Sequence, residues 1–173
     1  SDFLVQFVKD RNLEVYQDEI LNVIIKKPST PGYENSEPLI IQGHMDMVCV
    51  KTDDSDHNFD TDPIEMIVEG DVLRANNTTL GGDDGIAVAY GLAILDADDI
   101  PHPPLELLVT TNEETGMDGA MALTADHLTG TRLLNLDTEV EGEFLVSCSG
   151  GSNIDLSFDI AREANSSKAY KLS

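Results

Sequence analysis

Basic residues and cysteines are scarce in this sequence of 173 residues. Lysine and arginine together number 10 against 33 aspartates and glutamates, which leaves a net charge of −23 with histidine neutral. A chain this acidic repels phosphate backbones, so we expect no binding to nucleic acid. The two cysteines, Cys49 and Cys148, are too few for a disulfide scaffold. We interpret them as buried free thiols in a reducing cytoplasm.

Long apolar runs are also missing. No stretch approaches the roughly 20 apolar residues that a membrane-spanning helix needs, and no signal-peptide pattern opens the sequence. We therefore expect a cytoplasmic protein without a membrane partner. Hydrophobic residues still make up 40% of the chain, which is enough for one domain with a core. Surplus carboxylates that do more than solubilise would hold cations.

Continuous apolar segments alternate with a helical segment through the middle of the chain. LIIQ (39–42), LELLVTT (105–111) and TRLLNLD (131–137) have no polar alternation and predict strands buried on both faces. IAVAYGLAILDAD (86–98) is apolar on nearly every side and predicts a buried helix. This pattern predicts an α/β fold with a mixed, centrally parallel sheet and helices on both faces.

The flanking segments predict smaller elements. The sequence opens on a helix, which is followed by two short strands, LEVYQD (13–18) and EILNVIIKKP (19–28). EMIVEGDVLRA (65–75) predicts a hairpin that turns at Glu69-Gly70-Asp71. NEETGMDG reads as a loop and AMALTADHL as a short helix, and GEFLVSCSGG (142–151) and SNIDLSFDIAREA (152–164) predict later strands.

Ionisable residues stand where the predicted central strands end or where the long helix begins. They are His44 and Asp46 after LIIQ, Asp83 and Asp84 before the helix, Glu113 and Glu114 after LELLVTT, and Asp137 after LLNL. Each has an ordinary structural explanation alone, as a helix cap, a turn residue or a solvated side chain. Together they lie at the edge where open α/β sheets bind ligands. The set therefore predicts a metal site.

The spacing of these residues predicts a division of roles. Residues two apart on a strand share a face, so Asp46 is placed to orient His44 as a metal ligand. The side chains of consecutive Glu113 and Glu114 diverge, so one can bind metal while the other faces a reacting water. Several carboxylates with one histidine favour two ions over one, and Asp83 is a candidate bridge between ions roughly 3.5–4 Å apart.

The ordered motifs GHMD, TLGGDDG, TNEETG, LLNLDTE and SCSGG resemble those of the dinuclear zinc metallopeptidases, which include aminoacyl-histidine dipeptidases, carnosinases and aminoacylases. The resemblance implies two Zn²⁺ ions, with Co²⁺ or Mn²⁺ as possible substitutes, and hydrolysis of dipeptides that have a free amino terminus. It assigns His44 and Asp137 to one zinc ion, Glu114 to the other and Asp83 to the bridge. It makes Asp46 the residue that orients His44, and Glu113 the general base.

The sequence departs from this family in two ways. Asp84 follows Asp83 where related dipeptidases carry asparagine, so Asp84 is a rival for the bridge. The family also supplies a last histidine ligand beyond an inserted lid domain that forms a homodimer. We therefore interpret 1–173 as a partial catalytic domain, without the lid and the C-terminal part, and expect it to be inactive alone.

Other functions remain open at this point. The same family includes enzymes of the aminoacylase and tripeptidase types. Residues 54–65 match the oxygen-donor positions of a calcium-binding loop, but Phe59 stands where the sharp turn needs glycine and Pro63 lies inside the loop. A thiol or serine hydrolase using Cys148 or Ser149 lacks the G-x-S-x-G elbow.

Overall fold

A computed structural model of the protein describes residues 1–138, 140–152 and 154–159. The chain divides into two units, Ser1–Gly142 and Glu143–Ser173. The elements of the first unit follow in the order α1 (Asp2–Lys9), β1 (Glu14–Gln17), β2 (Val23–Lys27), β3 (Leu39–His44), β4 (Met66–Glu69), β5 (Val72–Ala75), α2 (Gly82–Asp96), β6 (Leu105–Thr110), α3 (Glu113–Gly116), α4 (Asp118–Ala122), a 3-10 turn (Ala125–His127) and β7 (Arg132–Asn135).

The main sheet is mixed, with the order β1-β2-β6-β3-β7. Strand β3 runs parallel to both β6 and β7, whereas β1, β2 and β6 pair in antiparallel fashion. The α/β prediction with a centrally parallel sheet is confirmed. In the register of β3 and β6, His44 lies opposite Thr110, so the two strands end at the same edge. This alignment brings the segments that follow the strands together.

The two faces of the sheet bury different residues because side chains alternate along a strand. On one face, Val23, Ile25, Ile41, Leu107 and Val109 pack with residues of α1 and α2. On the other face, Ile24, Ile40 and Leu108 pack with Leu123 and Leu128, which follow α4 and the 3-10 turn. The long helices thus cover one face, and a short helical segment covers the other.

Helix α2 is buried on one side only, which corrects the prediction of a helix buried all round. Its buried apolar positions are Ala87, Gly91 and Leu95, at helical spacing toward the sheet. Ile86 is 53% exposed and Tyr90 is 59% exposed. A helix with apolar residues on every side does not reveal which side packs, and no described element covers the outer side of α2.

Strand β7 is also more exposed than predicted. Leu133 is 54% exposed and Leu134 is 39% exposed, although the sequence predicted a buried strand. Within the described residues β7 pairs with β3 alone and forms the edge of the sheet, which explains the difference.

Of the predictions for the smaller elements and the cysteines, some are confirmed and others are wrong. The hairpin is confirmed as β4 and β5, joined at Gly70, whose positive φ of 62° suits a tight turn. The predicted loop NEETGMDG instead forms α3 and the start of α4, and the AMALTADHL helix ends early, at Ala122. Both cysteines are free as predicted, but both are exposed rather than buried.

The strands predicted in 142–164 do not form in the described part of that range. Residues 143–152 and 154–159 contain neither helix nor strand, and residues 160–164 lie outside the described residues. Among residues 1–138, 140–152 and 154–159, no helix combines the length and the apolar character needed to cross a bilayer.

Glu106 is a buried charge in the middle of β6 that the apolar pattern did not reveal. Its side chain accepts hydrogen bonds from Thr129 N at 2.9 Å, Thr129 Oγ1 at 2.8 Å and Gly130 N at 2.9 Å, and Lys26 Nζ lies 3.4 Å away. Burial raises the pKa of Glu106, but these donors outweigh burial and hold the pKa below its ordinary value. The carboxylate therefore fastens the 129–130 segment to the sheet.

We predict that Glu106→Gln lowers the free energy of unfolding by about 2 kcal/mol at pH 7, because an amide cannot accept from all of these donors. The control is Glu69→Gln, which removes an exposed partner of Arg74 and should leave stability nearly unchanged. Urea unfolding of both variants measures the difference.

The effect of Glu106→Gln should also depend on pH. Because folding lowers the pKa of Glu106, its stabilisation is present above the ordinary value of 4.5 and is lost as the pH falls through the folded pKa. The gap between wild type and variant should therefore close in acid. A gap that is constant with pH would contradict this account.

Candidate metal centre

The imidazole of His44 is the centre of a cluster of carboxylates at the carboxyl edge of the sheet. His44 ends β3 and is only 1% exposed. Its Nε2 atom lies 3.1 Å from Asp83 Oδ1, 3.8 Å from Asp137 Oδ1 and 3.9 Å from Glu113 Oε2. Asp137 follows β7 and Glu113 begins α3 after β6, so the parallel strand ends bring these residues together. Residues far apart in the sequence thus meet around one ring nitrogen.

Two overlapping groups of potential ligands share His44. One contains His44, Asp83 and Asp137, and the other contains His44, Glu113 and Glu114; in each group the ligand atoms lie within 4.8 Å of one another. Imidazole nitrogen with carboxylate oxygens suits Zn²⁺ and also Co²⁺ or Mn²⁺, so the residues present fit the predicted metals. Asp83 belongs only to the first group, and Glu114 belongs only to the second. The role of Asp83 as a bridge between two ions therefore stays a prediction.

Asp46 holds both the histidine ring and the start of α3. Its main-chain oxygen lies 3.0 Å from His44 Nδ1, and its Oδ1 lies 3.5 Å from the same atom. With Nδ1 protonated and donating to Asp46, the lone pair of Nε2 faces the carboxylates, as a metal-binding histidine requires. The sequence predicted that the carboxylate of Asp46 orients His44. In the structure the shorter contact of His44 Nδ1 is with the main-chain carbonyl of Asp46.

The carboxylate of Asp46 has a second task that the sequence did not indicate. Its Oδ1 accepts the N–H of Glu113 at 3.1 Å, and its Oδ2 accepts the N–H of Glu114 at 3.2 Å. Both N–H groups lie in the first turn of α3, where the helix itself offers them no acceptor. Asp46 therefore fixes the backbone that carries both glutamates relative to His44.

The two neighbouring aspartates of α2 face different partners. Asp83 has a side chain 55% exposed and reaches His44 Nε2. Asp84 is 1% exposed, and its Oδ2 accepts the backbone N–H of His44 at 3.1 Å. Of the two rivals for metal binding, Asp83 is the one whose carboxylate joins the ligand cluster. The sequence offered no signal for the separate contact of Asp84 beyond the pair of aspartates itself.

The cluster concentrates negative charge, and this charge contributes to raised pKa values of Asp137 and His44. Burial, the charge of Asp84 and a hydrogen bond with Asp83 raise the pKa of Asp137 to about 6. Burial lowers the pKa of His44, but its contact with Asp83 and the charges of Asp137 and Asp46 outweigh burial and raise it. Carboxylates that resist ionising next to one another favour a bound cation, which relieves their repulsion.

A pocket of about 200 Å³ opens beside the cluster. Glu113 and Asp137 line it together with the apolar side chains of Met117, Leu123 and Leu133. Pockets that combine an apolar wall with a few convergent polar groups are typical of small-molecule sites. The two carboxylates thus border both the cluster and a space for a ligand.

In the acidic loop 54–65, polar side chains accept hydrogen bonds from the backbone of the same loop. Asp62 Oδ2 accepts the N–H of Asn58 at 2.8 Å, and Asn58 Oδ1 accepts the N–H of Asp60 at 3.0 Å. Within the described residues, both groups of potential metal ligands contain His44 and neither includes a residue of this loop. The calcium-binding alternative gains no support from this geometry.

Comparisons with known proteins agree with the motifs. No family model matches the chain. The cytosol non-specific dipeptidase of Escherichia coli (strain K12) is 40% identical over 164 residues, which is 95% of this chain and 34% of the relative.

Solved structures give the same result. The aminoacylhistidine dipeptidase from Vibrio alginolyticus matches with a TM-score of 0.79 and 45% identity, over 82% of this chain and 29% of that one. The aminopeptidase PepT from Bacillus cereus ATCC 10987 shares the fold, with a TM-score of 0.64 and 24% identity over 80% of this chain and 37% of that one. The chain thus spans about a third of the length of these proteins. Together with the ordered motifs of the metal centre, these similarities show that the chain belongs to the family of the cytosol non-specific and aminoacylhistidine dipeptidases.

Proposed function

We propose that the full-length protein hydrolyses dipeptides with a free amino terminus at a two-zinc site, with Glu113 as general base. The observation that carries this proposal is the convergence of Asp83, Asp137 and Glu113 on the Nε2 atom of a single buried histidine, His44. The dipeptidases that match the chain support the reaction class.

The cation ligands in this proposal are His44, Asp83 and Asp137 for one ion and Glu114 for the other. Asp83 is the proposed bridge, and a histidine beyond residue 173 is the proposed last ligand. When bound, zinc supplies Lewis-acid chemistry at the peptide carbonyl. Co²⁺ and Mn²⁺ are alternative ions because oxygen-rich sites accept several metals.

Glu113 is the proposed base because of where its backbone and carboxylate lie. Its N–H is held by Asp46, and its carboxylate lies 3.9 Å from His44 Nε2 and lines the adjacent pocket. In hydrolysis Glu113 accepts a proton from water while the water oxygen bonds to the carbonyl carbon. The proton then passes to the amide nitrogen as the C–N bond breaks, so that two amino acids leave and Glu113 is again ionised.

The remaining features of the whole protein are proposals drawn from family resemblance. The protein forms a homodimer through a lid domain outside residues 1–173, and residues 1–173 alone are inactive. The protein is located in the cytoplasm, which agrees with the word cytosol in the name of the E. coli relative. An aminoacylase or tripeptidase would share the same metal chemistry. A panel of dipeptides, tripeptides and N-acyl amino acids assayed with the full-length protein separates these activities, and dipeptides should be the best substrates.

We predict that Asp137→Asn weakens zinc binding to the full-length protein by about tenfold or more, because it removes a charged ligand from the cluster. Isothermal titration calorimetry with Zn²⁺ measures the affinity. Asp62→Asn, in the exposed acidic loop, is the matched control and should bind zinc as the wild type does. Equal losses in both variants would point to general charge instead of a defined site.

We predict that Glu113→Gln lowers kcat for dipeptide hydrolysis by at least about 100-fold while zinc content stays at the wild-type level, since the amide cannot accept the proton. Glu114→Gln should instead lower zinc content. Steady-state kinetics and elemental analysis of the two neighbouring variants test this division. Wild-type turnover by the Glu113 variant would refute the assignment of the base.

A further inference from the structure

Asp84 is a buried carboxyl group that the proposed reaction does not use. It is 1% exposed and lies where the regular turns of α2 begin, since Asp83 and Asp84 themselves have non-helical dihedral angles. Asp84 lies three residues before Ala87, the first buried apolar residue of α2. The Asp84 carboxyl accepts the N–H of His44 from β3 at 3.1 Å. One side chain thus joins the strand that carries His44 to the helix that carries Asp83.

The space beside this contact has no room for a side chain at position 43. A Cβ atom at Gly43 would lie 2.6 Å from Ala87 Cβ and 2.6 Å from Asp84 Oδ2. Strand β3 and helix α2 therefore approach each other as closely as a glycine allows, and the Asp84 carboxyl occupies the remaining gap. The backbone N–H of His44 is buried there and depends on Asp84 as its acceptor.

We propose that Asp84 is a positioning residue of the metal centre, which sets the separation between His44 and Asp83 because its side chain, on α2, accepts the N–H of His44 on β3. The inference rests on the proposed metal-dependent function. His44 Nε2 and Asp83 Oδ1 are 3.1 Å apart, and each is carried by one of the two elements that Asp84 joins. Residues that orient ligands in this way change metal affinity without touching the metal.

The contact with His44 requires an acceptor oxygen at position 84. Asparagine keeps one acceptor oxygen, which can still accept the N–H of His44. Alanine has no acceptor, so the buried N–H of His44 loses its partner and β3 loses its hydrogen bond to α2.

The test uses the full-length protein loaded with Co²⁺, whose visible absorption spectrum reports ligand geometry. We expect Asp84→Ala to weaken Co²⁺ affinity by about tenfold or more and to change the spectrum, and Asp84→Asn to recover most of both. If the alanine variant does not fold, Asp84→Ser takes its place, because its shorter side chain does not reach the N–H of His44.

The matched control is Gly91→Ala, one position of α2 that packs on the sheet away from the cluster. A Cβ atom there contacts the Leu107 side chain, so the variant disturbs the same helix–sheet packing. Urea unfolding should show a loss of stability in the Gly91 variant, with the Co²⁺ affinity and spectrum of the wild type.

The outcomes separate this proposal from the function on which it rests. Wild-type protein that binds neither Co²⁺ nor Zn²⁺ would overturn the metal centre, and the role of Asp84 with it. Wild-type protein that binds Co²⁺, together with an Asp84→Ala variant of unchanged affinity and spectrum, would overturn only the positioning role. An asparagine variant as weak as the alanine variant would also overturn it, since the hydrogen bond to His44 would then not be the cause.

Discussion

The burial of His44 among carboxylates is the constraint around which the rest of the site is built. An imidazole that is 1% exposed has to be held by defined partners, and its Nδ1 contacts Asp46 while its Nε2 faces Asp83 and Asp137. Grouping acids in this way is electrostatically unfavourable, as the raised pKa of Asp137 records. The backbone compensates in part, because N–H groups of Glu113 and Glu114 donate to Asp46. The site thus combines a fixed geometry with a concentration of negative charge that favours a bound cation.

The sheet supplies this geometry through the parallel pairing of β3 with β6 and β7. Parallel neighbours end at one edge, so the segments after three strands that are distant in sequence become neighbours in space. The antiparallel strands β1 and β2 extend the sheet on the other side of β6 and add to the core but not to the cluster. The core and the site therefore use different parts of the same sheet.

Sequence patterns predicted the parts of the fold that local rules govern. The apolar runs of β3 and β6, the hairpin at Gly70 and the cluster residues at strand ends all follow from periodicity and turn chemistry. Patterns failed where partners far away in the sequence decide. The exposure of Tyr90 on α2 and of Leu133 on β7 depends on which elements lie beside them. The polar contacts of Glu106 and Asp84 are likewise made with backbone N–H groups, which are the same in every residue except proline and leave no sequence signature.

Gly43 has a consequence for how this protein tolerates mutation. The residue brings no reactive group, yet any replacement adds atoms at the place where β3 and α2 nearly touch, one residue before His44. Substitution of Gly43 should therefore disturb the site as much as substitution of a ligand, because a Cβ atom there would overlap both Ala87 and Asp84. A catalogue of functional positions that counted only chemically active side chains would overlook it.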